Sequence, residues 1–288
     1  MAIPMRSLMY VPGNKQNLIE KAVNFGADVL VLDLEDSVPP AEKAAARATV
    51  EGVIKSGFLK DHRVVVRING LDTAEASLDV KAMVMPGVFG LRIPKVETVG
   101  EIRELDSVVT DLEKHAGLEK GTIKFLAILE SPLGVLRAYD IATSSPRMLG
   151  LTFGAEDFCV GMGVERSREG IELRYAREHI ALCANAAGIM AFDTVFSDTK
   201  DEEGLVAETR YIKQLGFSGK SAIHPKQIEP IHRVFTPTPE ELEKARRIVE
   251  AFEKAKAEGS GTVAVDGKMV DIPVVLRAQK ILARAGEA

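Results

Sequence analysis

Cysteine is scarce: Cys159 and Cys183 are the only two in 288 residues. Two cysteines make neither a ligand cluster nor a disulfide framework, and a reducing cytoplasm suits them. Basic charge is not in excess either. A formal net charge of −5 and a pI near 5.7 argue against a general nucleic-acid or membrane-surface binder. No apolar run is long enough to span a bilayer. The opening MAIPMRSLMYVPG has a positive charge but no long apolar stretch after it, so a secretory signal is not expected. Low-complexity tracts and a dinucleotide-binding glycine loop are missing as well.

Hydrophobic residues make up 46% of the chain, enough for one large core or two modest ones. They recur as short, continuous apolar runs separated by helix-length segments. SLMYV, stopped by Pro12-Gly13, is the first strand, and Asn14 is expected to cap a helix to about Phe25. DVLVLDLED, RVVVRIN, GLRIPKV, KFLAILE, MLGLTFG, GIMAFDTVF and GKSAIHP supply seven more strands. Helices are expected over about 40–55, 98–115, 133–143, 172–187 and 202–215. Strands without polar alternation belong to sheets buried on both faces. Eight such repeats fit a TIM (β/α)8 barrel, with a doubly wound open sheet as the alternative.

The barrel is expected to occupy residues 1–236, followed by a C-terminal helix–hairpin–helix extension over 237–288. Its charged helix, Thr238 to about Glu258, reads as a solvated face. The run GSGTVAVDGKMVDIP reads as a β-hairpin turning at Asp266-Gly267, and a helix over Val274–Arg284 closes the chain. Such a piece is suited to act as a lid on the barrel or on a neighbouring subunit.

Active sites of this architecture lie at the carboxyl ends of the strands. Strands five and six end in Glu130 and in Glu156-Asp157, so a parallel β–α–β unit brings Glu130 and Asp157 to one rim. Two converging carboxylates repel unless a cation or proton neutralises them. Oxygen-only ligands in small number favour Mg2+ or Mn2+ over zinc. Other strand ends add Asp33, Glu35 and Asp36, then Arg67 and Asn69, Lys95, Asp193 with Ser197, and His224. Individually these have plain readings: Glu35 and Asp36 as helix caps, Lys95 as an ion-pair partner, His224 as a capping or core histidine. Together they describe an acidic pocket around a divalent cation, with an arginine for an anionic, oxo-bearing substrate.

The motifs RSLMYVPGN, LDLEDSV, VVVRIN, AILESPLG, FGAEDF and SAIHPKQI, in that order, resemble the citrate lyase beta-subunit-like group of the HpcH/HpaI aldolase superfamily. The resemblance runs from Arg6 to beyond Ala285. It implies a Mg2+-dependent barrel enzyme, a homotrimer or hexamer, that makes or breaks a C–C bond beside a CoA thioester or related acyl carrier. By motif match, Glu130 and Asp157 are the implied metal ligands and Arg67 the implied contact to the substrate's carbonyl and carboxylate. Glu35 and Asp36 are the implied groups that orient water at the metal.

KMVDIP further resembles the lid motif of malyl-CoA and citramalyl-CoA lyases, whose Asp, matching Asp271, serves a neighbouring subunit's site as acid/base. The other reading of Asp271 is an N-cap for the helix beginning at Pro273. The implied reaction cleaves a 3-hydroxyacyl-CoA to acetyl-CoA plus glyoxylate or pyruvate, with CoA held by Tyr10, Pro12, Lys15, Lys21 and the Ile223-His224 edge. By this resemblance the extension favours a stand-alone lyase on CoA esters over a subunit of an acyl-carrier complex; a malyl-CoA-type thioesterase, a citryl-acyl-carrier lyase subunit, a free-acid aldolase and a non-catalytic binding subunit are the alternatives.

Overall fold

Val29–Asp33 and Val64–Arg67 are built almost wholly of valine and leucine, and all but Arg67 are buried. Strands of that kind have no face to give to water and must be covered on both sides. In the computed structural model, which describes residues 4–286, eight parallel strands do this by closing into a barrel in sequence order. These are β1 (Ser7–Pro12), β2 (Val29–Asp33), β3 (Val64–Arg67), β4 (Gly90–Ile93), β5 (Lys124–Leu129), β6 (Met148–Phe153), β7 (Met190–Asp193) and β8 (Gly219–Ala222). Closure is made by β8 on β1, with Ser7 opposite Lys220 and Met9 opposite Ala222. The expected (β/α)8 barrel is the one observed, and the alternative open sheet is excluded by this closure.

Helices α1 (Gln16–Ala22), α2 (Lys43–Lys55), α3 (Ala74–Met83) and α4 (Val99–His115) follow the first four strands. Helices α5 (Pro132–Leu136) and α6 (Ala138–Ala142) lie between β5 and β6, and α7 (Ala155–Met162) and α8 (Arg174–Ala186) between β6 and β7. Helix α9 (Glu202–Leu215) precedes β8 and α10 (Ile228–Phe235) follows it. Helix α4 starts where its sequence indicates, with Thr98 and Glu101 forming a reciprocal capping box.

Three local expectations change. Asn14 does not cap α1: Lys15 is the residue before the helix, no side chain caps it, and the Asn14 amide instead donates to Glu42. Helix α1 also stops at Ala22, short of Phe25. The 133–143 segment is two short helices, because Arg137 (φ −96°, ψ 12°) leaves the helical region between them. Helices α3, α7 and α10 were not anticipated; α7 begins two residues after β6, so Asp157 sits in its first turn rather than in a loop.

Side chains alternate between the barrel's interior and its helical jacket with period two. Leu8, Val29, Val31, Val65, Leu126 and Phe192 pack into one apolar cluster inside the barrel. A Cβ at Gly150 would stand 2.7 Å from the ring of Phe192, so that glycine makes room for the cluster. Two residues further along the strands, Tyr10, Asp33, Arg67 and Ile128 face a cavity instead. The interior thus passes from apolar floor to charged mouth within one repeat of each strand.

The described chain divides into two compact units, Met5–His232 and one made of Pro4 with residues 233–286. The second contains α11 (Pro239–Ala257), an antiparallel hairpin of β9 (Val263–Val265) and β10 (Lys268–Val270), and α12 (Ile272–Arg284). The two-residue turn is Asp266-Gly267, both at positive φ (49° and 73°), as a twisted hairpin needs. Ala245, Ala278 and Leu282 pack α11 on α12, and Phe252, Val270 and Val275 tie in the hairpin. No helix among the described residues is long and apolar enough to cross a membrane.

Candidate active site

At the carboxyl ends of the strands lies a cavity of about 400 Å³ whose lining includes Tyr10, Asp33, Asp36, Arg67, Arg92, Glu130, Thr152, Asp157, Ser221 and Ile223. Its electrostatics are set by two groups of side chains.

The first group surrounds Arg67, at the end of β3. Asp33, at the register-matched end of β2, holds it through two bonds, Nε to Oδ1 at 2.6 Å and Nη2 to Oδ2 at 2.7 Å. Nη1 adds Asp36 Oδ2 at 2.9 Å and Glu35 Oε2 at 2.9 Å. Burial alone would push the Asp33 carboxyl up. The Arg67 hydrogen bonds and charge, with the Ser37 hydroxyl and the Glu35 N–H, outweigh burial and hold it below the usual carboxylate range. The Arg67 guanidinium lies 4.8 Å from the centre of the Tyr10 ring, a cation–π contact that further fixes its plane. Two of its N–H bonds remain to be offered into the cavity.

Glu35 sits between Arg67 and Lys95, whose Nζ is 3.2 Å from Glu35 Oε1. It is buried, yet neither oxygen accepts a well-aligned hydrogen bond. Burial, helped by the Asp36 charge, raises its pKa against the pull of Arg67 and Lys95.

The second group is the acid pair. Glu130 follows β5 and is only 8% exposed; Asp157 stands exposed in the first turn of α7. The Glu130 carboxyl is pushed up to about 8, first by burial and then by the charges of Glu35 and Asp157. Its one backbone anchor is the Lys95 N–H, 2.7 Å from Oε1. Lys95 points that N–H at the acid from a left-handed backbone (φ 55°), which costs a non-glycine residue energy and is retained at sites where geometry matters. Gly154 completes the seat. A Cβ there would fall 2.5 Å from Glu130 Cβ and 2.6 Å from Oε2, so no side chain fits beside the carboxylate.

These residues fit a small, hard divalent cation. The donors are all oxygen, the buried acid is destabilised in its charged form, and the pair repels itself without a counter-charge. Among the described residues no group of three or more His, Cys, Asp or Glu is arranged to hold a metal ion, so the candidate ligands are the pair Glu130 and Asp157. Mg2+ accepts one or two carboxylates because it keeps several waters or substrate oxygens.

Of the residues singled out in the sequence, Tyr10, Asp33, Asp36, Arg67, Glu130, Glu156, Asp157 and Ile223 line one cavity, and Glu35 pairs with Arg67. Lys15 and Lys21 are exposed on and before α1 and do not line it. His224 is half-buried and caps the turn 225–227, its Nδ1 accepting from the Lys226 N–H at 3.2 Å. Asp193 is also structural. Arg177 (2.9 Å) and Lys220 (2.7 Å) clamp it in full burial, and against that burial their charges hold its carboxyl at about 2. Asp271 N-caps α12, accepting from the Val274 N–H at 3.3 Å. Sequence reasoning missed Arg92, Thr152 and Ser221. The signal was present for Arg92, a charged residue in the middle of the apolar run GLRI.

A model of the HpcH/HpaI aldolase/citrate lyase family matches residues 6–225. The chain is 47% identical over 277 residues to the citrate lyase subunit beta of Leuconostoc mesenteroides subsp. cremoris, covering 96% of this chain and 92% of that one. It is 34% identical over 284 residues to a (3S)-malyl-CoA thioesterase of Cereibacter sphaeroides, covering 99% and 95%. Among solved structures, the protein CitE of Mycobacterium tuberculosis in complex with magnesium, acetoacetate and coenzyme A superposes with a TM-score of 0.79 at 31% identity, over 100% of both chains. An alignment covering 96% of the chain cannot omit the 237–288 extension, so its presence does not separate stand-alone lyases from citrate lyase beta subunits.

Proposed function

The chain belongs to the HpcH/HpaI aldolase/citrate lyase family, and from that premise we propose that it is a Mg2+-dependent carbon–carbon lyase acting on a 3-hydroxyacyl thioester, of CoA or of a related acyl carrier. The observation that carries the reading is the acid pair: Glu130, buried and pushed up to about 8 by burial and by the charges of Glu35 and Asp157, lines one cavity with Asp157 and Arg67. Relatives named as citrate lyase beta subunits, and a neighbour bound to magnesium and coenzyme A, support it.

Glu130 and Asp157 would hold Mg2+, with Mn2+ as a substitute. Bound there, the cation supplies Lewis-acid polarisation of the oxo-acid oxygen. Arg67, locked by Asp33 and stacked on Tyr10, turns its remaining N–H bonds toward the oxygen on which charge develops, a contact that strengthens in the transition state. Glu35 and Asp36 keep Arg67 in place, and with the cation bound they would orient water beside it. A base takes the substrate's hydroxyl proton, the electron pair left on that oxygen forms the C=O of the oxo acid, and the pair of the adjacent breaking C–C bond leaves as the enolate of the acetyl thioester. Asp271 of a neighbouring subunit would protonate that enolate carbon, residues 1–236 carrying the chemistry and 237–288 the lid. Tyr10 and Ile223 line the cavity and remain in the binding surface; for Lys15, Lys21 and His224 a CoA contact rests on the motif match alone.

Malyl-CoA and citramalyl-CoA lyase, citryl lyase subunit and malyl-CoA thioesterase are the finer readings, the citryl subunit supported by the 47% identical citrate lyase subunit beta and the thioesterase by the 34% identical one. Incubation with Mg2+ and malyl-, citramalyl- or citryl-CoA separates them. Oxo acid without free thiol supports the lyase, and thiol with intact hydroxy acid supports the thioesterase. Neither product would leave a binding subunit. Light scattering on the same sample tests the homotrimer or hexamer.

A further inference from the structure

Between α7 and α8 the chain makes an excursion without helix or strand, residues 163–170, bracketed by two glycines in the left-handed region, Gly163 at φ 68° and Gly170 at φ 64°. Most of it is exposed, Arg168 and Glu169 included, but Arg166 turns inward and its side chain is only 13% exposed. Nη1 donates to Glu156 Oε1 at 2.7 Å. Nη2 donates to the Val195 carbonyl at 2.9 Å and lies 3.7 Å from Glu208 Oε2. One guanidinium thus joins the first turn of α7, the chain leaving β7, and α9.

Arg166 is not among the residues that line the cavity with Glu130. It lines a second cavity, of about 770 Å³, and Glu156 is the residue common to both linings. The consequence falls on the next residue, Asp157. Its carboxylate takes no hydrogen bond or ion pair among the described residues, so the backbone of that first turn sets its place. Gly154 and Ala155 are held by the Leu129 carbonyl (3.0 Å) and the Thr194 hydroxyl (3.2 Å). At Glu156 the tether is Arg166. The anchor behind it is stiff: Lys220 (2.7 Å) and Arg177 (2.8 Å) grip Glu208, and both also hold Asp193. None of those four bonds involves Arg166, so its removal leaves the buried network closed.

We propose that Arg166 is a positioning residue: through Glu156 it straps the first turn of α7 to the end of β7 and to α9, and so fixes Asp157 for the cation it shares with Glu130. Charge and position give opposite signs here. As a nearby cation Arg166 repels Mg2+, and its loss would tighten binding. As a strap it holds a ligand in place, and its loss weakens binding; groups that orient a metal ligand contribute about 10–100-fold in affinity. The affinity arm of the test rests on the reading of Glu130 and Asp157 as the Mg2+ pair, and the exchange arm does not.

The experiment measures Mg2+ affinity by calorimetry for wild type, Arg166→Met, Arg166→Lys, Glu156→Ala and the Arg166→Met/Glu156→Ala double variant, beside amide hydrogen exchange on the metal-free proteins. Arg166→Met should raise Kd about tenfold, and Arg166→Lys, which keeps the charge and can still reach Glu156, by less. With Glu156 gone the strap holds nothing on α7, so Arg166→Met in that background should move Kd by no more than about twofold. In Arg166→Met the amides of 156–160 should exchange about tenfold faster, with those of β6 and β7 unchanged. Glu156→Ala should speed the same amides; its side chain is 60% exposed, so this arm stands even where Arg166→Met does not fold. An unchanged or tighter Kd in Arg166→Met, an equal loss in both backgrounds, or unchanged exchange over 156–160 overturns the strap. Wild type that binds no Mg2+ overturns the metal reading instead, and the exchange result then decides for or against Arg166.

Discussion

Gly154 gives up its Cβ position to Glu130: the added atom would stand 2.6 Å from the acid's Oε2. The glycine is there for proximity, since its own φ is an ordinary −105°. Gly154→Ala should therefore fold, but with Glu130 displaced. A shift of about 1 Å at a reacting centre costs on the order of 10²-fold in rate. The check is kcat with Mg2+ beside a thermal melt; full activity in a folded Gly154→Ala would show that the close approach is incidental.

Glu130 has its folded pKa raised to about 8, so its ionisation works against folding. Below the ordinary value of about 4.5 both states are protonated and there is no penalty. Metal-free protein should lose stability as pH rises from there to about 8 and level off above it. Metal binding needs the charged acid, so Mg2+ affinity should rise about tenfold per pH unit through pH 6–7, with about one proton released per ion. Calorimetry in two buffers of different ionisation enthalpy reads that proton directly. Glu130→Gln should remove both the proton release and the alkaline loss of stability.

Asp271 has two assigned jobs that one substitution separates. Asparagine caps a helix about as well as aspartate, so Asp271→Asn should leave the melting temperature nearly unchanged. As a proton donor it is useless, and turnover should fall about 10²–10⁴-fold. If Asp271→Asn turns over normally, the residue only caps α12. Mixing inactive Asp271→Asn with inactive Glu130→Gln tests action across subunits: regained activity requires shared sites.

Asp193 is an acid at a strand end whose role is structural. Arg177 and Lys220 hold it in full burial, and Asp193→Asn should cost about 3–5 kcal/mol by leaving those cations uncompensated. Because its folded pKa, about 2, lies below the ordinary value, its stabilisation is present near neutrality and is lost as pH falls through 2. Urea unfolding measures the first, and acid unfolding of the variant against wild type the second.

The barrel was legible because strands such as Val29–Asp33 declare two-sided burial, and Glu130 and Asp157 were legible because acid ends an apolar run. What was hidden depended on direction. Asp193 and Arg67 both end strands, but Asp193 meets Arg177 of α8 and Lys220, whereas Arg67 faces the cavity. A one-residue change of phase along a strand decides this, and motifs do not record phase. Arg92 was passed over because it sits within its strand, where a charge is read as an exception to the apolar run. Lys15 and Lys21 are the opposite case, exposed and outside the cavity, so their assignment to CoA rests on the motif match alone.

In the proposed function Glu130 and Asp157 share one divalent cation on which C–C cleavage depends. This is tested most directly by oxo-acid release from citryl-, malyl- and citramalyl-CoA as a function of Mg2+ concentration, for wild type beside Glu130→Gln. The predicted result is saturable activation of wild type, abolished by chelator, and no release from Glu130→Gln at any Mg2+ concentration. Release that persists in chelator, or survives in Glu130→Gln, would contradict it.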